Sequence, residues 1–139
     1  MIPWVLCVDD DSMVLMLHEI MMQENGFART IDRALNGEEA LEKIHQYQEE
    51  NPGAPMLLIL DLNMPVMDGW TFLETIQTAE RSRYDSLYIY ICTSSLNPRD
   101  RERAFSHDLV KGYLEKPLTL EHLSQMKQQE PVRQFFESE

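Results

Sequence analysis

The chain has 139 residues, 43% of them apolar, and its 24 acidic residues outnumber 12 basic ones for a net charge of -12. That length suits one domain with an ordinary core, and the composition excludes wholesale disorder. So negative a surface argues against direct binding to nucleic-acid phosphates or to anionic membranes.

In chain order, Val5 to Val8 is an apolar run that predicts a buried strand. A helix follows from about Ser12 to Asn25, with Met13, Leu17, Ile20 and Met21 at helical spacing and Gly26 placed to end it. Arg29 to Ala34 reads as a weaker strand. Asn36-Gly37 turns the chain into a second helix, Glu38 to about Glu49, with Ala40, Leu41, Ile44 and Tyr47 on one side; Asn51-Pro52-Gly53 breaks it. Met56 to Leu60 is continuously apolar, as in a central strand covered on both faces. A third helix starts near Asp68-Gly69 with Phe72, Leu73 and Ile76 inward. Leu87 to Cys92 is a fourth strand, and Pro98 suits the first turn of a short helix running to about His107. Gly112 to Glu115 is a fifth strand. Thr119 caps a last helix with Leu120, Leu123 and Met126 inward, and Pro131 stops or kinks it, leaving 131–139 as a tail of open structure.

Strict alternation of strands and helices defines one α/β domain, 1–139, with a parallel sheet covered on both faces. The first residues have no basic flank and lead directly into Asp9-Asp10-Asp11, so no signal peptide is expected. No run approaches the ~18 apolar residues of a membrane span. Cys7 and Cys92 lie in core runs, too few for a disulfide framework, which suits a reducing, cytoplasmic location.

Ligands of an open parallel sheet bind beyond the carboxyl ends of its strands. There the sequence sets Asp9, Asp10 and Asp11 after the first strand and Asp61 after the third. Thr93, Ser94 and Ser95 follow the fourth, and Lys116 follows the fifth. Two carboxylates ~4 Å apart repel by about 4 kcal/mol at an effective dielectric near 20. Such a cluster needs a proton or a divalent cation to relieve it, and hard oxygen ligands favour magnesium over zinc. A carboxylate, a cation, a lysine and a threonine together make a phosphoryl site, in which the carboxylate is the nucleophile.

Val8-Asp9-Asp10, the run Leu60-Asp61-Leu62-Asn63-Met64-Pro65-Val66-Met67-Asp68-Gly69, Thr93-Ser94-Ser95 and Lys116-Pro117 resemble the receiver domain of two-component response regulators. The resemblance covers almost the whole chain, and is nearest to stand-alone receivers of the chemotaxis type. It implies a flavodoxin-like, doubly wound five-stranded sheet of order 2-1-3-4-5 with five helices. It also implies phosphorylation of Asp61, with magnesium held by Asp10, Asp61 and the backbone carbonyl of Asn63, and by Asp9 through water. Thr93 and Lys116 would hold the phosphoryl oxygens, Lys116-Pro117 would be a cis peptide, and Tyr113 would be the switch aromatic. The implied donor is a sensor histidine kinase or histidine phosphotransfer protein; the downstream protein target stays unknown. A change at the face of the fourth helix, fifth strand and fifth helix would alter partner binding, and a homodimer through that face is a further expectation. Asn63 and Ser95, two residues beyond Asp61 and Thr93, would flank the path of an attacking water and allow slow self-dephosphorylation. One residue more than is usual in the family separates Thr93 from Lys116, which leaves the start of the fifth strand and the reach of Tyr113 open.

The remaining features read as structural. Asp11 faces solvent or caps the first helix, and Asp68-Gly69 starts the third. Met13, Met16, Met21 and Met22 read as packing, and His18, His45, His107 and His122 as surface or helix residues without metal-ligand spacing. Three other functions compete. A haloacid-dehalogenase-like aspartyl phosphatase would use Asp9 and Asp11, but Ser12-Met13 stands where that motif has Gly-Thr. A flavodoxin-like redox module would not set three aspartates where flavin phosphate binds. A non-phosphorylated pseudo-receiver scaffold has no need of the acid cluster.

Overall fold

The apolar runs become the strands of one parallel sheet in the computed structural model, which describes residues 1–137 and, of Arg81, the backbone alone. The order along the chain is β1 (Ile2–Val8), α1 (Ser12–Glu24), β2 (Ala28–Ala34), α2 (Gly37–Glu50), β3 (Met56–Leu60), α3 (Gly69–Thr78), β4 (Leu87–Thr93), α4 (Pro98–Phe105), β5 (Val110–Glu115) and α5 (Leu120–Gln128). Short 3-10 turns cover Arg81–Tyr84 and Val132–Phe135. The sheet order is β2-β1-β3-β4-β5. All its pairings are parallel, the flavodoxin-like arrangement.

Alternation along β1 divides the core. Trp4, Leu6 and Val8 pack with Ala40 and Ile44 of α2, Phe72, Leu73 and Ile76 of α3, and Ala104 of α4. Val5 and Cys7 face the other way, to Leu15 and Met22 of α1 and Leu123 and Met126 of α5. β3 is buried along its whole length, as its uninterrupted apolar run requires.

The face of α1 turned to the sheet is not the one marked by the apolar spacing of Met13, Leu17 and Ile20. Leu15, His18 and Met22 face the sheet, while Met13 is 65% exposed, Leu17 56% and Ile20 44%. Apolar residues occupy both faces of this helix, so spacing alone did not choose between them. Of the methionines read as packing, Met22 is buried and Met21 half-buried, but Met13 and Met16 face solvent. Leu120 is likewise exposed, because it occupies the first turn of α5 rather than its inner face.

The fifth strand begins two residues earlier than expected and contains the extra residue as a bulge. Ile89 pairs with Val110 and Tyr90 with Gly112, so Lys111 is passed over and the register beyond is regular up to Thr93 and Glu115. A Cβ on Gly112 would lie 2.5 Å from the Tyr90 ring, so the glycine makes room for that buried aromatic. α4 ends at Phe105, short of the expected His107. The tail is structured where described: Val132 is buried, Phe136 stacks on Phe27, and the amino terminus donates to the Phe135 carbonyl. Residues 138–139 of the expected tail lie outside the described residues. No helix among the described residues is long and apolar enough to cross a membrane.

Candidate functional site

The site is assembled from strand ends that the sheet hydrogen bonds hold in line. The Asp9 N–H donates to Ala34 O and the Asp61 N–H to Val8 O, so both aspartates continue the ladder one step beyond their strands. Asp9 and Asp61 are buried and Asp10 is exposed. One oxygen from each of the three carboxylates lies within 4.8 Å of the others, a donor set of hard oxygens that fits a small divalent cation. Asp9 also accepts from the Asp11 N–H at 2.9 Å. Asp11 itself caps α1, accepting from the Met13 and Val14 amides, so its carboxylate points into the helix terminus and away from acid–base work. The phosphatase reading loses its second acid there.

Gly69 keeps the loop after β3 close to the site. Its N–H donates to Leu62 O, and a Cβ there would stand 2.5 Å from the Asp61 carbonyl oxygen. Asp68-Gly69 starts α3 as expected, and the Asp68 side chain also caps it by accepting from the Thr71 N–H. Just before them Val66 takes φ of 66°, and the Met67 N–H closes a three-residue turn onto Pro65 O. Asn63 is exposed, and its backbone hydrogen bond helps stabilise the Asp61 carboxylate.

Lys116 Nζ stands 2.5 Å from Asp9 Oδ2 and 3.1 Å from Asp61 Oδ2. Burial pushes this ammonium down, but the hydrogen bond to Asp9 and the charges of both aspartates outweigh it and raise its pKa. Burial pushes the Asp61 carboxyl up, and Lys116 draws it back. Asp9 adds a like charge, and the net direction is upward. One cation shared by two buried carboxylates leaves the more distant one under-compensated.

Thr93 is fully buried at the end of β4, its hydroxyl accepting from the Ser95 N–H, and its carbonyl accepts from the Lys116 N–H at 2.9 Å. Tyr113 is half-buried with its hydroxyl donating to Ser95 O, so the bulge leaves it in reach of the β4–α4 loop. The Ser95 hydroxyl donates to Asp100 on α4 at 2.6 Å. The Lys116-Pro117 peptide is cis.

Of the histidines read as surface or helix residues, His18, His45 and His122 lie on α1, α2 and α5, while His107 lies in the turn after α4. His18 is buried and its Nε2 accepts from the Leu118 N–H at 3.2 Å; His107 is buried, with no hydrogen-bond partner at Nδ1 among the described residues. His45 bonds the Tyr84 hydroxyl, and His122 completes the capping box of α5. Burial lowers the His18 pKa, the Asp9 charge opposes it, and Lys116 and His122 add to the lowering. Sequence reasoning missed His18 and Asp100; the Leu15, His18, Met22 spacing was the available signal for the first, and nothing local marked the second.

An acid cluster, a lysine and a buried threonine thus meet beyond the carboxyl ends of a 2-1-3-4-5 sheet, a set whose chemistry suits a phosphoryl group. The family model "Response regulator receiver domain" matches residues 5–128, and the chain belongs to that family. It is 31% identical over 119 residues to the probable methanogenesis regulatory protein FilR2 of Methanothrix harundinacea, covering 86% of this chain and 75% of that one. The crystal structure of a two component response regulator from Cytophaga hutchinsonii is similar, with TM-score 0.80, 27% identity, and 89% and 92% of the two chains covered. The chemotaxis response regulator CheY4 of Vibrio cholerae aligns with TM-score 0.70 and 26% identity, over 92% of this chain and 98% of that one. The next two curated relatives are longer, and the chain spans 47% and 46% of them. This chain is therefore a phosphoacceptor switch of two-component signal transduction, a regulator rather than an enzyme. The phosphatase and scaffold alternatives are not favoured.

Proposed function

We propose that Asp61 accepts the phosphoryl group from a histidine of a sensor kinase or phosphotransfer protein. The observation that carries this is the Lys116 ammonium lying between buried Asp61 and buried Asp9. A carboxylate oxygen of Asp61 attacks phosphorus; the O–P bond forms as the P–N bond to the donor breaks, and the imidazole nitrogen keeps the electron pair. Lys116 and the Thr93 hydroxyl take the phosphoryl oxygens, and Asn63 and Ser95 flank the path of the water that later hydrolyses the anhydride. Magnesium would be held by Asp10, Asp61 and the Asn63 carbonyl, with Asp9 acting through water. When bound, it neutralises charge on the transferring group.

The signal leaves through α4, β5 and α5. α4 buries only Ala104 and is otherwise tied by the Ser95–Asp100 bond and by Arg103, which pairs with Glu74 and covers the Trp70 ring. So lightly held an element can change place when Thr93 is drawn toward a phosphoryl group and Tyr113 releases Ser95. A downstream protein or a second copy that binds one arrangement better shifts the population. Free, buried Cys7 and Cys92 suit the cytoplasm.

The phosphodonor docks on α1. Met13, Met16, Leu17 and Ile20 form an exposed apolar stripe at helical spacing, on the helix that follows the three aspartates. Its partner is an amphipathic helix whose basic flanks answer the acidic surface.

The test of the phosphoacceptor is labelling of the full chain by acetyl phosphate with magnesium, read by intact-mass spectrometry. One phosphoryl group, lost on mild base treatment and absent from Asp61→Asn, is expected. Undiminished labelling of Asp61→Asn removes Asp61 from this role.

A further inference from the structure

Of the buried polar residues, His18 and His107 lie outside the strand-end cluster, and His18 is the one hydrogen-bonded to the loop that carries Lys116. Asp9, Asp61 and Thr93 belong to the strand-end cluster, whereas His18 comes from the inner face of α1. Its Nε2 accepts the backbone N–H of Leu118, 100 residues further along, at a buried contact of 3.2 Å. An Nε2 that accepts from an N–H carries no proton, so the neutral ring has its hydrogen on Nδ1. Burial favours that neutral form.

Leu118 is two residues beyond Lys116, and its own side chain is buried. Upstream, the Lys116 N–H is fixed to Thr93 O. Downstream, Thr119 is committed to the cap of α5 with His122. The loop that carries Lys116 is therefore pinned on one side by the sheet and on the other by His18. The ring also reaches the small void beneath the site, lined by Cys7, Asp9, Ile59, Asp61 and Cys92 among others. A residue of similar bulk without an acceptor would fill the space but leave the Leu118 N–H buried and unpaired, which the loop can relieve only by moving. That motion starts two residues from the ammonium.

We propose that His18 is a positioning residue for phosphoryl transfer: by accepting the Leu118 N–H it sets where Lys116 sits relative to Asp61. This rests on Asp61 being the phosphoacceptor.

The experiment measures the labelling rate of the full chain at saturating acetyl phosphate and magnesium for wild type, His18→Leu, His18→Gln and His18→Asn. Each is made with Lys116 intact and in a Lys116→Ala background. Expected is a fall of about ten- to a hundredfold for His18→Leu, since small misplacements of a charge-neutralising group have effects of that order. Gln, whose amide oxygen occupies the place of Nε2, restores the rate to within a few-fold; Asn, whose oxygen falls short, does not. In the Lys116→Ala background the His18 substitutions add nothing further. A wild-type rate for His18→Leu overturns the proposal, and so does an equal loss in the absence of Lys116. Should His18→Leu fail to fold, amide hydrogen exchange of wild type and His18→Gln decides: a Leu118 N–H that exchanges as fast as a free amide in wild type overturns it. Failure of wild type to label at all instead removes the phosphoacceptor reading on which it stands.

Discussion

Lys116 is nearer to Asp9 than to Asp61, with Nζ–Oδ2 separations of 2.5 and 3.1 Å. The lysine's charge is thus committed first to the acid from β1, and the acid from β3 is held at a raised pKa by burial and by its neighbour's charge. A carboxylate in that condition is destabilised as an anion and gains from any cation that relieves it.

This gives Asp61→Asn a stabilising effect. The folded-state pKa of Asp61 lies above its ordinary value of 3.8, so between the two the folded chain binds more protons than the unfolded one. Stability contributed by this group therefore falls as pH rises through the folded value. Asparagine does not ionise. We expect Asp61→Asn to be more stable than wild type by about 1–2 kcal/mol at pH 7 without added divalent cations. The advantage should shrink on acidification and vanish below the unfolded value. Urea unfolding at a series of pH values measures it; a constant difference across that range would place the effect elsewhere.

Val66 offers a separate gain. A β-branched residue at φ of 66°, 79% exposed, stores strain without compensating burial. Val66→Asn should stabilise the fold by about 1 kcal/mol, since asparagine tolerates this region far better. Thermal unfolding measures it, and an unchanged or lower midpoint would show that the turn is not strained.

The bulge at Lys111 explains why one extra residue leaves the site intact, and it makes Gly112 sensitive. Gly112→Ala puts a methyl 2.5 Å from the Tyr90 ring and should destabilise by about 1–3 kcal/mol. Combining it with Tyr90→Leu should recover part of the loss, a coupling that a double-mutant cycle in denaturant reads. Strict additivity would mean that the ring is not what the methyl meets.

The fold was legible because β3 is apolar throughout and the ends of β1, β3, β4 and β5 carry residue types foreign to a core. Asp9, Asp61, Thr93 and Lys116 could be located from that alone. What the sequence did not convey has a common cause. α1 carries apolar residues on both sides, so its rotation was decided by contacts distant in the chain: the His18 bond to Leu118 and the packing of Leu15 and Met22 on β1. Bulge position is similarly a matter of two strands together, since Lys111 is extra only relative to β4. Period and punctuation report on single elements, and these features belong to pairs.

That rotation yields the last prediction. Met13, Met16, Leu17 and Ile20 lie on the side of α1 opposite Leu15, His18 and Met22, and burying them against the fold would expose the residues that hold the helix to the sheet. Their exposure is therefore a cost in solubility unless a partner covers them. If that partner is the phosphodonor's helix, a charge in the stripe should impair transfer from a protein donor and leave small-molecule chemistry alone. Leu17→Glu and Ile20→Glu should each alter folding stability by no more than about 0.5 kcal/mol, as surface substitutions do. Labelling from acetyl phosphate should stay at the wild-type rate, because neither side chain reaches Asp61, Lys116 or Thr93. Transfer from a phosphorylated histidine donor should slow by about tenfold or more, the loss appearing in the concentration dependence on donor rather than in the rate at saturation. Equal slowing with both donors would mean that the substitutions disturb the site through α1, and no slowing with either would assign the stripe to a different partner.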